Sequence, residues 1–199
     1  MFANPAYPTY QAFLALGVAA LIVLAVMPFW IKLLKVEGIG QQVRADGPQR
    51  HLVKQGTPTM GGVVILLGIV VSTLLIGHLT PKVMLAGAAA LATGALGLFD
   101  DITSVAQGRS LGLTPTAKMV GLTAIVVAFF LLAVNLCGVE PVIRFPGGFA
   151  IDLGVLTTTL SVGGATISIP WLYLVFVFLL LAGMSNAVNL TDGLDGLAG

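Results

Sequence analysis

Five apolar runs, each near the roughly 20 residues that a helix needs to cross a bilayer core, leave this chain few folds to choose from. They lie within Phe13 to Ile31, from about Gly62 to Leu79, from Val83 to Phe99, from Met119 to about Val139, and from about Pro170 to Asn189. Lipid offers the backbone no hydrogen-bond partner, so each run is predicted to be a helix and the chain an all-α integral membrane protein of five transmembrane helices. Charged residues make up 9% of the chain and hydrophobic ones 57%, whereas a soluble domain carries roughly 25% charged residues. A net charge of +1 argues against nucleic acid as a partner, and the lone Cys137 excludes an intrachain disulfide. No Lys or Arg precedes the first run, unlike the basic start of a cleaved signal peptide, so the first span is expected to stay in the mature protein. In the third run Ala86, Ala90 and Gly94 recur at every fourth position. Small residues on one stripe admit a close neighbour, which predicts that this span is buried in the bundle.

Lys and Arg set the orientation. Lys32, Lys35, Arg44, Arg50 and Lys54 fall between the first two spans, and Arg109 and Lys118 between the third and fourth, leaving Lys82 and Arg144 for the other side. This bias puts the N-terminus outside and predicts a single polytopic domain over 1–199, with cytoplasmic loops at 32–60, 100–118 and 189–199. The polar clusters of the chain then share one membrane face. On the other face, the segment near 141–169 alternates β-formers with glycines (Val142-Ile143-Arg144-Phe145, later Thr166-Ile167-Ser168-Ile169). It reads as a small extracytoplasmic β-hairpin with no visible chemistry.

Three cytoplasmic motifs carry the candidate chemistry. Asp100-Asp101 closes a span otherwise free of acids. Adjacent helical residues point about 100° apart, so the two carboxylates are expected to divide their tasks: one toward a hydrated cation or a nucleophile, the other held by a lysine or a backbone amide. The simpler reading is a pair of interfacial acids that begins a loop. The stretch Asn186-Ala-Val-Asn189-Leu-Thr-Asp192-Gly-Leu-Asp195-Gly ends the fifth span. As a helix it sets Asn189 and Asp192 on one face, and Gly193 and Gly196 let the backbone approach a ligand; the simpler reading is a solvated helix exit. Carboxylate and amide oxygens gathered at one surface suit Mg²⁺, a hard cation.

The third motif runs from Arg44 to Gly62 and contains Lys54-Gln-Gly-Thr57-Pro58-Thr59-Met-Gly-Gly. Pro58 fixes a bend, Thr59 is a candidate N-cap, and glycines expose backbone N–H groups at a helix start, where phosphate is favoured. Lys54 adds a mobile positive charge. A positive-inside loop explains the charges of this stretch, but not Gly-Thr-Pro-Thr-Met-Gly-Gly. Lys118, at the mouth of the fourth span, either faces the same pocket or anchors topology. His51 and His78 lack paired metal-ligand spacing. The Asn189-Leu-Thr191 sequon falls on the cytoplasmic face and is discarded.

These residues resemble a known family. Arg-x-Asp-Gly-Pro-x-x-His-x-x-Lys-x-Gly-Thr-Pro-Thr-Met-Gly-Gly (44–62), Leu-Gly-x-Phe-Asp-Asp (96–101) and Asn-Leu-Thr-Asp-Gly-Leu-Asp-Gly-Leu-Ala (189–198) are similar to the bacterial phospho-N-acetylmuramoyl-pentapeptide transferases (translocase I). The second and third motifs also resemble the wider polyprenyl-phosphate sugar-1-phosphate transferases. The resemblance implies an Mg²⁺-dependent enzyme of the bacterial cytoplasmic membrane, active at the cytoplasmic face in peptidoglycan synthesis. It would take UDP-N-acetylmuramoyl-pentapeptide and undecaprenyl phosphate and make lipid I and UMP. Residue by residue, it implies that Asp100 deprotonates or positions the lipid phosphate, with Asp101 in support, and that Asn189 is a Mg²⁺ ligand. Lys54, Thr59, Lys118, Asp192 and Asp195 would bind substrate, and a homodimer is expected by resemblance alone.

Family members have about ten spans. The chain is therefore expected to be the first half of a ten-helix bundle, inactive by itself, because a later metal-anchoring Asp and a His-rich cytoplasmic loop have no counterpart in it. Within the enzyme class the runner-up is a transferase for a different UDP-N-acetylhexosamine. From another class, a transporter is the rival, since intramembrane acids also mark ion paths. Transporter sites, however, sit at midplane on broken helices, and these span centres are uncharged. A membrane scaffold would leave all three motifs unexplained.

Overall fold

The computed structural model describes residues 8–39, 60–108 and 112–191. Its helices are α1 (Pro8–Val36), α2 (Gly62–Ile76), α3 (Pro81–Gln107), α4 (Pro115–Asn135) and α5 (Trp171–Thr191). Between α4 and α5 lie β1 (Val142–Arg144), β2 (Ala150–Asp152), β3 (Thr157–Val162) and β4 (Ala165–Pro170). Among the described residues, four helices are long and apolar enough to cross a membrane, and the chain is a multi-pass membrane protein. Helix starts follow local chemistry: Pro81 and Pro115 occupy the first position of α3 and α4, where proline's missing N–H is not needed.

Three expectations need correcting. The second apolar run forms a helix of 15 residues, about 22 Å long and short of the roughly 30 Å hydrocarbon core. It stops at Ile76 because Gly77 turns extended (φ −72°, ψ 149°), its N–H donating to the Thr73 carbonyl at 2.8 Å. The expected single hairpin is two. Val142–Arg144 pairs with Ala150–Asp152, and Thr157–Val162 with Ala165–Pro170, both antiparallel. The second turns on Gly163-Gly164 with φ of +58° and +86°, the left-handed geometry that a two-residue hairpin favours. Thirdly, α3 contains no buried residue. Ala86 and Ala90 are exposed, while Gly94 of the predicted stripe lies against Leu66.

The described residues gather into two compact units. One holds α1, α2, α3 from Ala90 onward and the chain to Lys118. Here α2 buries Val64, Gly68, Ser72 and Ile76, a four-residue spacing that makes one face. At Gly68 the helices meet closely: a Cβ there would lie 2.9 Å from Val23 Cγ2 and 3.0 Å from the Ala19 carbonyl oxygen of α1. The buried Ser72 hydroxyl donates back to the Ile69 carbonyl at 3.0 Å, so no polar atom on this face is stranded.

The other unit holds Pro81–Ala89 and everything from Met119 onward. In it α4 buries Leu122, Val126, Phe130 and Ala133, and the Phe130 ring meets Tyr173 of α5 with centroids 6.1 Å apart. Asn135, the last residue of α4, binds the β3–β4 hairpin. Its amide nitrogen donates to the Ser168 carbonyl at 3.2 Å, and its amide oxygen accepts from the Ser168 N–H at 2.7 Å.

Two stability outcomes follow from these contacts. G68A is expected to destabilise the intact protein by about 1–3 kcal/mol, because the added methyl meets helix backbone. G94A is expected to cost less, since its added Cβ would meet the tip of the Leu66 side chain, which can rotate away. Thermal melts of both variants in detergent check the order. N135L, which strands both backbone groups of Ser168, is expected to cost about 1–3 kcal/mol by the same measurement.

Candidate functional site

The acid pair lies inside α3, which continues through Asp101 to Gln107. Gly108 ends it in the left-handed region (φ +59°), with its N–H bonded to the Val105 carbonyl. Gly112 and Leu113 lie at Asp100, just before α4 begins. Thr114 caps α4: its hydroxyl accepts from the Ala117 N–H at 3.2 Å, the third helical position that an N-cap side chain serves. This turn delivers two donors to one carboxylate. The Leu113 N–H donates to Asp100 Oδ1 at 2.8 Å, and Lys118 Nζ donates to Asp100 Oδ2 at 2.9 Å.

Asp100 and Lys118 retain 18% and 21% of their side-chain exposure, so the pair is sheltered but reachable. An ionised carboxylate has about four acceptor lobes; one donor on each oxygen leaves the carboxylate able to accept more. Asp101 follows on the same helix and is half-buried. Asp100 is thus held by a lysine and a backbone amide, with one donor on each of its oxygens.

The structure thus joins Asp100 and Lys118 directly. Lys54, Thr59, Asp192 and Asp195 lie outside the described residues, as does the side chain of Asn189, which α5 carries in its last turn. The N-cap position of α2 belongs to Gly61, with no side-chain cap bond. Just before it, Met60 takes φ +65°, an uncommon conformation for a residue with a side chain, and Trp30 Nε1 donates to its carbonyl at 3.2 Å. Nothing in the sequence marks Gly112 or the Leu113 amide as chemistry-bearing. The one available signal was Thr114-Pro115, which reads as a helix start opposite the acids.

An apolar groove of about 620 Å³ lies in the same unit, lined by Trp30, Leu33, Val63, Leu98 and Ile102 among others. Its α3 residues, Leu98, Ile102, Val105 and Ala106, form one helical stripe. Asp100 lies about 200° round the helix from Leu98 and Ile102. The groove and the carboxylate therefore occupy opposite faces of α3.

Membrane-spanning helices that carry a lysine-clamped acid at the α3–α4 turn define a polytopic membrane protein with a candidate site at that acid. Comparison with known proteins makes this particular. Residues 83–199 match the model for glycosyl transferase family 4, and residues 54–66 match signature 1 of phospho-N-acetylmuramoyl-pentapeptide-transferase. The chain belongs to glycosyl transferase family 4. It is 41% identical over 200 residues to a phospho-N-acetylmuramoyl-pentapeptide-transferase of Corynebacterium diphtheriae, covering 94% of this chain and 54% of that protein. It is 42% identical over 197 residues to the protein of the same name from Neisseria gonorrhoeae, covering 96% and 51%. A third, from Shouchella clausii, is 39% identical over 189 residues, covering 92% and 52%. The chain spans about half the length of the curated relatives it matches.

Removing the α4 cap tests the local architecture. T114A is expected to cost about 1 kcal/mol of stability and to weaken the hold on Asp100, because the capped turn also presents the Leu113 amide. A thermal melt of the intact variant reads the first effect.

Proposed function

We propose that the protein to which these residues belong transfers phospho-N-acetylmuramoyl-pentapeptide from its UDP carrier to undecaprenyl phosphate, producing lipid I and UMP at the cytoplasmic face of the bacterial inner membrane. The observation that carries this reading is Asp100, held by Lys118 and the Leu113 amide at 2.9 and 2.8 Å, in a chain whose residues 54–66 match the transferase signature. Phosphoryl transfer asks a protein mainly for positioning and charge neutralisation, and a carboxylate fixed from two sides is suited to the first.

In this reading an oxygen of the lipid phosphate attacks the β-phosphorus of the UDP substrate, and the bond from that phosphorus to the bridging oxygen breaks, releasing UMP. Asp100 receives the proton of the lipid phosphate or orients its oxygen, with Asp101 supporting it. Lys54 and Thr59 bind the nucleotide and diphosphate together with Asp192 and Asp195. Mg²⁺ belongs to the same proposal: it would neutralise the diphosphate, and Asn189, Asp192 and Asp195 are oxygen donors of the type it takes. The lipid substrate stays in the membrane and the nucleotide in water, so a site at the membrane surface is where both arrive. A homodimer is part of the proposal by resemblance.

D100N in the intact protein tests it. Undecaprenyl-phosphate-dependent release of UMP from UDP-N-acetylmuramoyl-pentapeptide is expected to fall by roughly 10²–10⁴, the range a positioned proton acceptor supplies. A rate near wild type for D100N would remove Asp100 from the chemistry. Turnover of UDP-N-acetylglucosamine in place of the pentapeptide substrate would instead favour the related hexosamine transferases.

A further inference from the structure

We infer that Gly112 and Lys118 are positioning residues that act through Asp100, holding its carboxylate from the far side of the α3–α4 turn; this rests on the transferase reading above. Gly112 is fixed by space, not by conformation. A Cβ built on it would clash with the Asp100 carbonyl oxygen and lie 2.8 Å from the carbonyl carbon and 3.0 Å from Oδ1. Two of those atoms are helix backbone, which cannot rotate aside as a side-chain tip can. Any larger residue at 112 therefore lifts the turn off α3, and the next residue, Leu113, loses its 2.8 Å bond to Oδ1.

Lys118 completes the hold one helical turn into α4, reaching Oδ2 at 2.9 Å. One of the three donors of its Nζ meets Asp100 in a sheltered position. That geometry ties Lys118 to the acid. The two donors grip different oxygens, so together they fix the plane of the carboxylate, where either alone would leave it free to swing. Phosphoryl transfer is sensitive to such placement: an error of about 1 Å can cost on the order of 10²-fold.

Steady-state UMP release by the intact protein, with each substrate varied in turn, separates the roles. G112A and K118M are each expected to lower kcat at least tenfold while both KM values stay within threefold. A tenfold rise in KM for the UDP substrate with kcat retained in K118M would make Lys118 a substrate contact and overturn the inference. So would wild-type kcat in G112A. Thermal melts of wild type, K118M, D100N and D100N/K118M give a readout independent of turnover. The K118M shift is expected to shrink by half or more when Asp100 is already Asn, and an equal shift in both backgrounds would mean that the two side chains do not hold each other. Absence of UMP release by wild type would defeat the transferase reading alone, and the melts would still decide whether Lys118 holds Asp100.

Discussion

Hydrocarbon gives a backbone amide nothing to bond to, and this constraint governs the chain before any packing does. It converts the apolar runs into helices whatever their local propensities. That is why Pro28 sits inside α1 without ending it. Once the helices exist, lipid removes most of the hydrophobic incentive for them to associate, so close contact must come from shape. Gly68 provides it where α2 meets Ala19 and Val23 of α1, and the same face buries residues at a four-residue spacing. Large apolar residues elsewhere, such as Phe13, Leu24 and Leu75, are more than half exposed. In a soluble protein that would be a liability; in a membrane protein lipid tolerates such side chains.

The same scarcity of partners explains the care taken with the polar groups on the helices. Ser72 bonds to its own helix, and Asn135 closes on both backbone groups of Ser168. Asp100 is different in kind. Its carboxylate is met by a side chain and a backbone amide from a separate segment, an arrangement more specific than solubility at a helix end requires. A surface ion pair alone contributes little, typically about 0–1 kcal/mol. A carboxylate shared between an ammonium and an oriented amide gains geometry in addition to whatever energy the pair supplies.

Much of this was legible from residue types. Uncharged runs located the spans, and Asp100-Asp101 stood out because the run before it carries no other acid. Lys118 was visible as a cation at the mouth of the fourth span, although its partner was not. The failures have physical causes. Val142–Phe145 and Thr166–Ile169 both read as strands, yet each pairs with a nearer segment, since closing a short loop sacrifices less chain entropy than closing a long one. The Ala86-Ala90-Gly94 stripe tells what a face permits, not what covers it: Ala86 and Ala90 are exposed, while Gly94 lies against Leu66. The Leu113 amide carries no residue-type signal at all, because every residue but proline has one.

The α3–α4 turn also explains why a glycine and a capped helix start belong together at this place. Gly108 ends α3 about two turns beyond Asp100, and Gly112 lies so close to the Asp100 backbone that a Cβ there would clash with it. Thr114 and Pro115 then start α4 at the level of the acid. With α4 beginning there, Lys118 lies one turn in and its side chain spans the remaining gap to Oδ2. That construction ties the acid of α3 to the first turn of α4.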